Sequence, residues 1–430
     1  MDKTTLLLPF FSGVIGGLGL FFFGMQFMSE GLKNIAGDKL KKILHMATKI
    51  PIIGILAGAS VTCLIQSSSA TTVIVVGFVN AGLLVLKQAI CVVMGANIGT
   101  TFTAWIVSSM SVFKITNYAL PAIGIGLCLM KLGKTKNTKF WGQTIMGFGL
   151  LFIGLSFMKD SFAPLKQSEW IKNIFINLSH NPILGVLTGI IFTILLQSSS
   201  ATIAIVQILA FNGVIGLDSA IPIILGDNIG TTITAQMASF GANLAAKRTA
   251  MSHTLFNVIG TIYMLFLVYT GWFIKIIDFF IPGDFFAINI MVCIAIIHSA
   301  FNIINTIVFY PFISWLEKAS IWLVPKRKDS IELGPQYLEK NLLSTPSIAL
   351  EQAKKETIYM LHLAKKFVIN STKTFLNKDK KNNKATKDIE NALDKLQSEI
   401  IQYLVELSKK NLTEEDAEVL PVLIHSVNDI

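Results

Sequence analysis

The run LIQSSSATTVIV, starting at Leu64, sets a glutamine and three serines among apolar residues, and LLQSSSATIAIV, starting at Leu195, does so a second time. Amides and hydroxyls are costly to bury unless each finds a partner. Where a helix breaks, the same groups sit beside the unpaired backbone N–H donors of a helix N-terminus, a set that suits a tetrahedral oxyanion. Neither motif carries a fixed cation, so an anion would be held moderately and released readily. Serines in a helix have a plainer use, close packing with hydroxyls bonded to the preceding turn. For one copy the two uses weigh equally; the paired glutamines, Gln66 and Gln197, tip the balance toward a site, facing one another across a pseudo-twofold axis.

A second repeated motif, GANIGTT from Gly95 and GDNIGTT from Gly226, offers different chemistry. Its glycines let a helix open. The side-chain oxygens of Asn97, Thr100, Thr101, Asn228, Thr231 and Thr232, with freed main-chain carbonyls, make hard ligands of the kind that suit sodium. Asp227 adds a carboxylate at expected membrane depth, a functional candidate by default, against the plainer reading of a solvated vestibule residue. Its counterpart is the neutral Ala96, so the halves are not chemically equivalent. In HTLFN (His253 to Asn257) and HSAFN (His298 to Asn302), a histidine and an asparagine four residues on share a helix face, which reads as a structural bonded pair rather than a proton relay. Ser67 and Ser198 have no histidine at a recognisable spacing, which argues against nucleophilic hydrolysis and against an enzyme.

These residues sit in a chain of 430 residues that is 52% hydrophobic and 14% charged, with a mean hydropathy of +0.62. That is a membrane protein. Apolar segments near the roughly 20 residues needed to cross a bilayer recur from Pro9 to Val324. From Pro325 onward charged residues dominate and apolar ones fall at helical spacing, as in a soluble bundle. The first apolar segment, Pro9 to Met28, is too long and too lightly basic for a cleaved signal peptide and reads as a retained helix. The glycine-rich SGVIGGLGLFFFG within it reads as a helix-packing surface, since no lysine follows at phosphate-loop spacing. Cys63, Cys91, Cys128 and Cys293 lie far apart and read as packing residues.

The net charge of +10 is carried by the residues through Asp329, where Lys plus Arg outnumber Asp plus Glu by 22 to 11; after Asp329 the balance is 14 to 15. Basic clusters at Lys33 to Lys49, Lys131 to Lys139, Lys247 with Arg248, and Lys318 to Lys328 are assigned to the cytoplasm, while mixed loops around Lys159 to Lys172 and Lys275 to Asp284 are external. The distribution argues against nucleic acid as a partner and puts the tail in the cytoplasm. An offset of 131 carries Gln66 onto Gln197 and Asn97 onto Asn228, which indicates an internal duplication. Because the copies enter from opposite faces, the expected fold is an all-α polytopic membrane protein built as an inverted-topology repeat. Each unit should hold a re-entrant helical hairpin turning back at the glutamine-serine motif, then a crossing helix broken at GANIGTT or GDNIGTT. The expected boundaries are a membrane domain over 1–325 with repeats at about 50–158 and 182–312, a linker over 326–345, and a cytoplasmic helical bundle over 346–430.

The doubled QSSSATT and QSSSATI, the doubled NIGTT, and the HTLFN and HSAFN segments resemble the type II sodium-dependent phosphate cotransporters in their bacterial form, over nearly all of residues 9 to 315. The resemblance implies sodium-coupled carriage of inorganic phosphate by alternating access across the cytoplasmic (inner) membrane, with sodium as co-substrate and no organic cofactor. It places phosphate on Gln66, Ser67, Ser68, Ser69, Gln197, Ser198, Ser199 and Ser200. Sodium at Asn97, Thr100, Thr101, Asp227, Asn228, Thr231 and Thr232 rests mainly on the oxygen-ligand reasoning. The tail resembles the start of a PhoU-like phosphate-signalling domain, whose acidic metal motif would fall on Glu390 and Asp394, an ordinary solvated pair being the even alternative. The final HSVNDI stops within a helical pattern, so the sequence reads as a fragment of a longer chain. A homodimer and a cytoplasmic signalling partner for the tail are further expectations. Two other functions stay open: a sodium-coupled carrier of another oxyanion or small carboxylate, and a phosphate sensor that does not transport.

Overall fold

The computed structural model describes residues 3–36, 50–80, 83–113, 116–164, 181–240, 242–280, 289–325, 335–339, 342–343, 345–377, 380–410 and 412–430. Much of the loop charge used to assign topology (37–49, 165–180, 281–288, 326–334), with much of the expected linker, lies outside the described residues. Among the described residues every regular element is helical, and five helices are long and apolar enough to cross a membrane. The protein is an all-α membrane protein. It divides into two compact units. One comprises Met1–Thr72, Ile90–Ala235 and Ser252–Leu316; the other comprises Val73–Ala89, Gln236–Met251 and Glu317–Ile430.

The first unit begins with α1 (Lys3–Ala36). Two short helices follow, α2 (Pro51–Ile65) and α3 (Ser68–Asn80), then the long α4 (Leu86–Phe113). Next come α5 (Thr116–Leu132) and α6 (Lys136–Phe162). The short-short-long pattern then recurs as α7 (Pro182–Leu196), α8 (Ser199–Phe211) and α9 (Leu217–Ala238). It is followed by α10 (Leu244–Tyr269), α11 (Trp272–Phe280), α12 (Ile290–Phe309) and α13 (Ile313–Leu323). The glycine-rich face of α1 packs along α6, as expected: a Cβ on Gly24 would collide with backbone atoms of Gly147 and Leu151. Small residues let the two backbones meet where apolar side chains would gain nothing over lipid.

Both short-helix pairs turn back on themselves. Thr62 Oγ1 donates to Thr71 Oγ1 at 2.9 Å, and Thr193 Oγ1 lies 3.0 Å from Thr202 Oγ1. Residues nine apart in a continuous helix would be separated by about 13 Å, so these contacts require a reversal of direction. The reversal falls at Gln66 (φ 57°) and Gln197 (φ 51°), the two non-glycine residues with positive φ among the described residues. A left-handed conformation costs an L-residue roughly 1–2 kcal/mol. Proline at the first helical position of α2 and α7 starts each hairpin where its missing N–H does no harm.

The breaks expected at GANIGTT and GDNIGTT are not found: α4 and α9 run unbroken through both motifs. The glycines serve close packing instead. A Cβ on Gly95 would strike the Ile55 carbonyl, and one on Gly226 the Val186 carbonyl. The polar side chains satisfy the helix from within. Asn97 and Asn228 donate to the carbonyls of Val93 and Ile224, and Thr100 and Thr231 to those of Ala96 and Asp227. No main-chain carbonyl is freed by a break there.

In the second unit, the end of α3 packs against the start of α10 through Val76, Ala242 and Ala246. Asn243 pairs with Asn80 twice, its backbone N–H donating to the Asn80 side chain and its own amide to the Asn80 carbonyl, each at 2.8 Å. The tail forms three helices, α14 (Pro346–Asn377), α15 (Lys380–Ser408) and α16 (Glu414–Asp429), around a core that includes Ala353, Leu396, Leu404 and Val427. Leu342 covers Gly77, and the Gln352 amide reaches the Gly77 carbonyl at 3.4 Å. Glu356 is fully buried and accepts backbone N–H bonds from Gln336, Tyr337 and Leu338. Burial pushes its carboxyl up to about 7, against the opposing pull of the three N–H donors.

Candidate anion and cation sites

All eight residues of the two glutamine-serine motifs line one cavity of about 370 Å³ within the first unit. The helices explain why. Ser67 and Ser198 cap α3 and α8, their hydroxyls accepting from the N–H groups of Ala70 and Ala201. The next two serines of each motif then form the first helical turn, where backbone N–H groups have no intrahelical acceptor. Two helix N-termini therefore contribute donors, and partial positive charge, to one space.

A reciprocal pair of bonds joins the repeats. The Ser200 hydroxyl contacts Thr103 on α4 at 3.2 Å, and the Thr234 hydroxyl on α9 contacts Ser69 at 3.2 Å. The offset of 131 carries Ser69 onto Ser200 and Thr103 onto Thr234, so each bond is the other with the repeats exchanged. Thr103 also donates to the side-chain oxygen of Gln66 at 3.1 Å, and the Gln66 amide donates to the Cys63 carbonyl. Gln66 is buried, whereas Gln197 is exposed toward the cavity. Thr103 and Thr234 were missed by sequence reasoning, although their matched positions just beyond NIGTT were visible in the aligned copies.

The same cavity is lined by Gln26, Ser29, Glu30 and Lys33 of α1, an element outside both motifs. The anion chemistry expected from the motifs alone had no fixed cation; the wall of the folded cavity includes one, Lys33, and also a carboxylate, Glu30. Ser29 donates to the Ile65 carbonyl, tying α1 to the first hairpin.

The residues expected to hold sodium do not line this cavity. Asn97, Thr101, Asp227, Asn228, Thr231 and Thr232 are buried on α4 and α9, with Thr100 half-buried. Thr193 donates to one Asp227 oxygen at 2.6 Å; the other, Oδ2, is buried without a hydrogen-bond partner among the described residues. Ala96 leaves the first repeat without this group. The side-chain oxygen of Asn97 lies 3.4 Å from His253 Nε2. The expected histidine-asparagine pairing takes another form: Asn257 and Asn302 donate to the backbone carbonyls of His253 and His298, not to their rings. In the tail, Glu390 and Asp394 are exposed one turn apart on α15, and no cluster of three metal-ligating side chains occurs among the described residues.

A sequence profile of the Na+/Pi-cotransporter family matches residues 20–160 and 165–298. The chain belongs to this family, a family of transporters and not of enzymes. It is 24% identical over 407 residues, 94% of this chain and 72% of the relative, to the "Putative inorganic phosphate export protein YjbB" of Escherichia coli (strain K12). With the "Uncharacterized protein YqeW" of Bacillus subtilis (strain 168) it shares 31% identity over 72% of this chain and 96% of the relative. With the human sodium-dependent phosphate transport protein 2B it shares 35% identity over 119 residues, 26% of this chain and 17% of the relative. No solved structure matches.

Proposed function

We propose that this protein carries inorganic phosphate across the cytoplasmic membrane by sodium-coupled alternating access. The observation that carries the reading is the convergence of both glutamine-serine tips, with two helix N-termini, on one cavity. Phosphate is held there by Gln66, Ser67, Ser68, Ser69, Gln197, Ser198, Ser199 and Ser200, through hydroxyl, amide and backbone donors that can be exchanged for water. Sodium is held by Asp227, Asn228, Thr231 and Thr232, with Asn97, Thr100 and Thr101 as the weaker counterpart. A threonine hydroxyl that donates to its own helix keeps its lone pairs for a cation. Sodium bound first raises the local potential, so coupling is electrostatic and reciprocal.

The repeats are read as inverted in the membrane, with the tail in the cytoplasm as a partial PhoU-like regulatory domain over 346–430. Lys33 opens a basic cluster that the positive-inside rule assigns to the cytoplasm, which makes this cavity the inward-facing form of the site. The name of the Escherichia coli relative favours net export, and a gradient-coupled carrier runs in either direction. Phosphate flux in proteoliposomes with the sodium gradient imposed inward, then outward, tests the reading. Flux that reverses with the gradient supports it. Flux indifferent to replacing sodium by potassium removes the coupling, and binding without counterflow leaves a sensor.

A further inference from the structure

Glu30 is the one carboxylate among the residues lining the anion cavity, and it is held in place from two helices. The Gln26 amide, one turn earlier on α1, donates to its Oε1 at 2.9 Å, and the Gln143 amide of α6 donates to its Oε2 at 3.3 Å. Each oxygen keeps lone-pair capacity for one more donor. Lys33, three residues on and therefore a neighbour on the helix surface, lines the same cavity.

An acceptor-only carboxylate in the wall of an anion site is wasteful unless the anion has a proton to give. Inorganic phosphate near neutral pH keeps at least one P–OH; sulfate has acceptors only. We propose that Glu30 is a specificity-determining residue that accepts a hydrogen bond from a protonated tetrahedral oxyanion and rejects a fully deprotonated one, while Lys33 offsets the added negative charge. The inference rests on the reading of this cavity as the phosphate site. The O–H···O⁻ contact is charge-assisted with phosphate, but with sulfate it becomes two facing acceptors of like charge. Sites that hydrogen-bond a substrate hydroxyl from buried groups reject its absence by factors of about 10⁴. Glu30 is exposed to the cavity, so a smaller factor, roughly tenfold to a hundredfold, is expected.

The test uses the full chain in proteoliposomes, with radiolabelled phosphate and competing sulfate or arsenate. Arsenate, protonated like phosphate, should compete in wild type and in Glu30→Gln alike. Sulfate should compete poorly with wild type and at least tenfold better with Glu30→Gln. Wild type inhibited equally by sulfate and arsenate, or a Glu30→Gln protein that transports phosphate and still excludes sulfate, would overturn the proposal. If Glu30→Gln does not fold, Gln26→Met with Gln143→Met keeps the carboxylate but removes the amides that aim it. A several-fold loss of sulfate exclusion is then expected, and unchanged exclusion counts against Glu30. Lys33→Gln should weaken phosphate and arsenate together, leaving their ratio to sulfate unmoved; a changed ratio would take the selectivity away from Glu30. Phosphate binding that survives Gln66→Ala with Gln197→Ala would instead mean that the cavity is not the anion site, a failure of the functional reading itself.

Discussion

The two repeats are nearly the same object built twice. Each turns back at a left-handed glutamine, ties its hairpin with a threonine pair, and sets glycines of the long helix against carbonyls of the first hairpin helix. The long helix of each then reaches the serine tip of the other through Thr103 or Thr234. Against that background two differences stand out. Asp227 replaces Ala96, and Gln197 is exposed where Gln66 is buried. Shared features fit the proposal that both repeats present donors to one anion, since both motifs line one cavity. Unshared ones fit what needs doing once, and the buried Asp227 carboxylate, with one oxygen unpartnered among the described residues, is why the proposed cation site is placed in one half only.

The sharpest way to break the comparison is through the packing glycines. Gly95→Val and Gly226→Val each force a side chain into a facing carbonyl. Each should abolish the monodisperse, detergent-stable protein; size-exclusion chromatography that separates the two would show that the halves are not packed alike. Next in size, Gln66→Ala with Gln197→Ala should lower phosphate uptake by about a hundredfold, several lost hydrogen bonds of about 1 kcal/mol each being enough. Either single variant retaining full uptake would confine the site to one repeat.

Asp227→Asn should raise the sodium concentration for half-maximal uptake by roughly tenfold, one tenfold step being about 1.4 kcal/mol. Ala96→Asn should leave that sodium dependence within about twofold. Equal effects in the two halves would remove the asymmetry on which the cation assignment rests. Thr103→Val and Thr234→Val should each cost about 1 kcal/mol, or roughly fivefold in phosphate affinity. The bonds to Ser200 and Ser69 are reciprocal, but Thr103 also holds Gln66, so in equilibrium binding Thr103→Val should lose at least as much as Thr234→Val.

The smallest effect lies outside both repeats. The Glu356 carboxyl is raised in the folded tail to about 7, above the ordinary carboxylic range. Its folded form therefore binds a proton more readily than its unfolded form, and the stabilisation is full at acid pH and lost as pH rises through about 7. Amide exchange at Gln336, Tyr337 and Leu338, corrected for intrinsic rates, should show protection falling over that range, and Glu356→Gln should flatten the profile. A flat wild-type profile would mean that the N–H donors, and not burial, govern the group.

The site was legible in the sequence wherever its residues were neighbours along the chain. Four-residue motifs and an offset repeated twice are local signals, and helix boundaries follow prolines and apolar runs that a reader can count. The retained helix expected over Pro9 to Met28 lies within Lys3–Ala36. The GANIGTT reading failed for an equally local reason. Glycine, asparagine and threonine together signal a broken helix only if their polar groups look outward. Here Asn97 and Thr100 bond back within α4 while Gly95 admits another backbone.

What the sequence determined by itself is the membrane class, the duplication, the hairpin turns at Gln66 and Gln197, and the donor chemistry of the serine tips. Each follows from residue type and spacing within one segment. What only the tertiary structure decided is which distant groups share that space. Glu30 and Lys33 lie on an unrelated helix, and Thr103 serves the opposite repeat's Ser200, 97 residues away. Such contacts depend on how glycine faces let helices approach, as α1 does against α6, and no periodicity within a single segment encodes that approach.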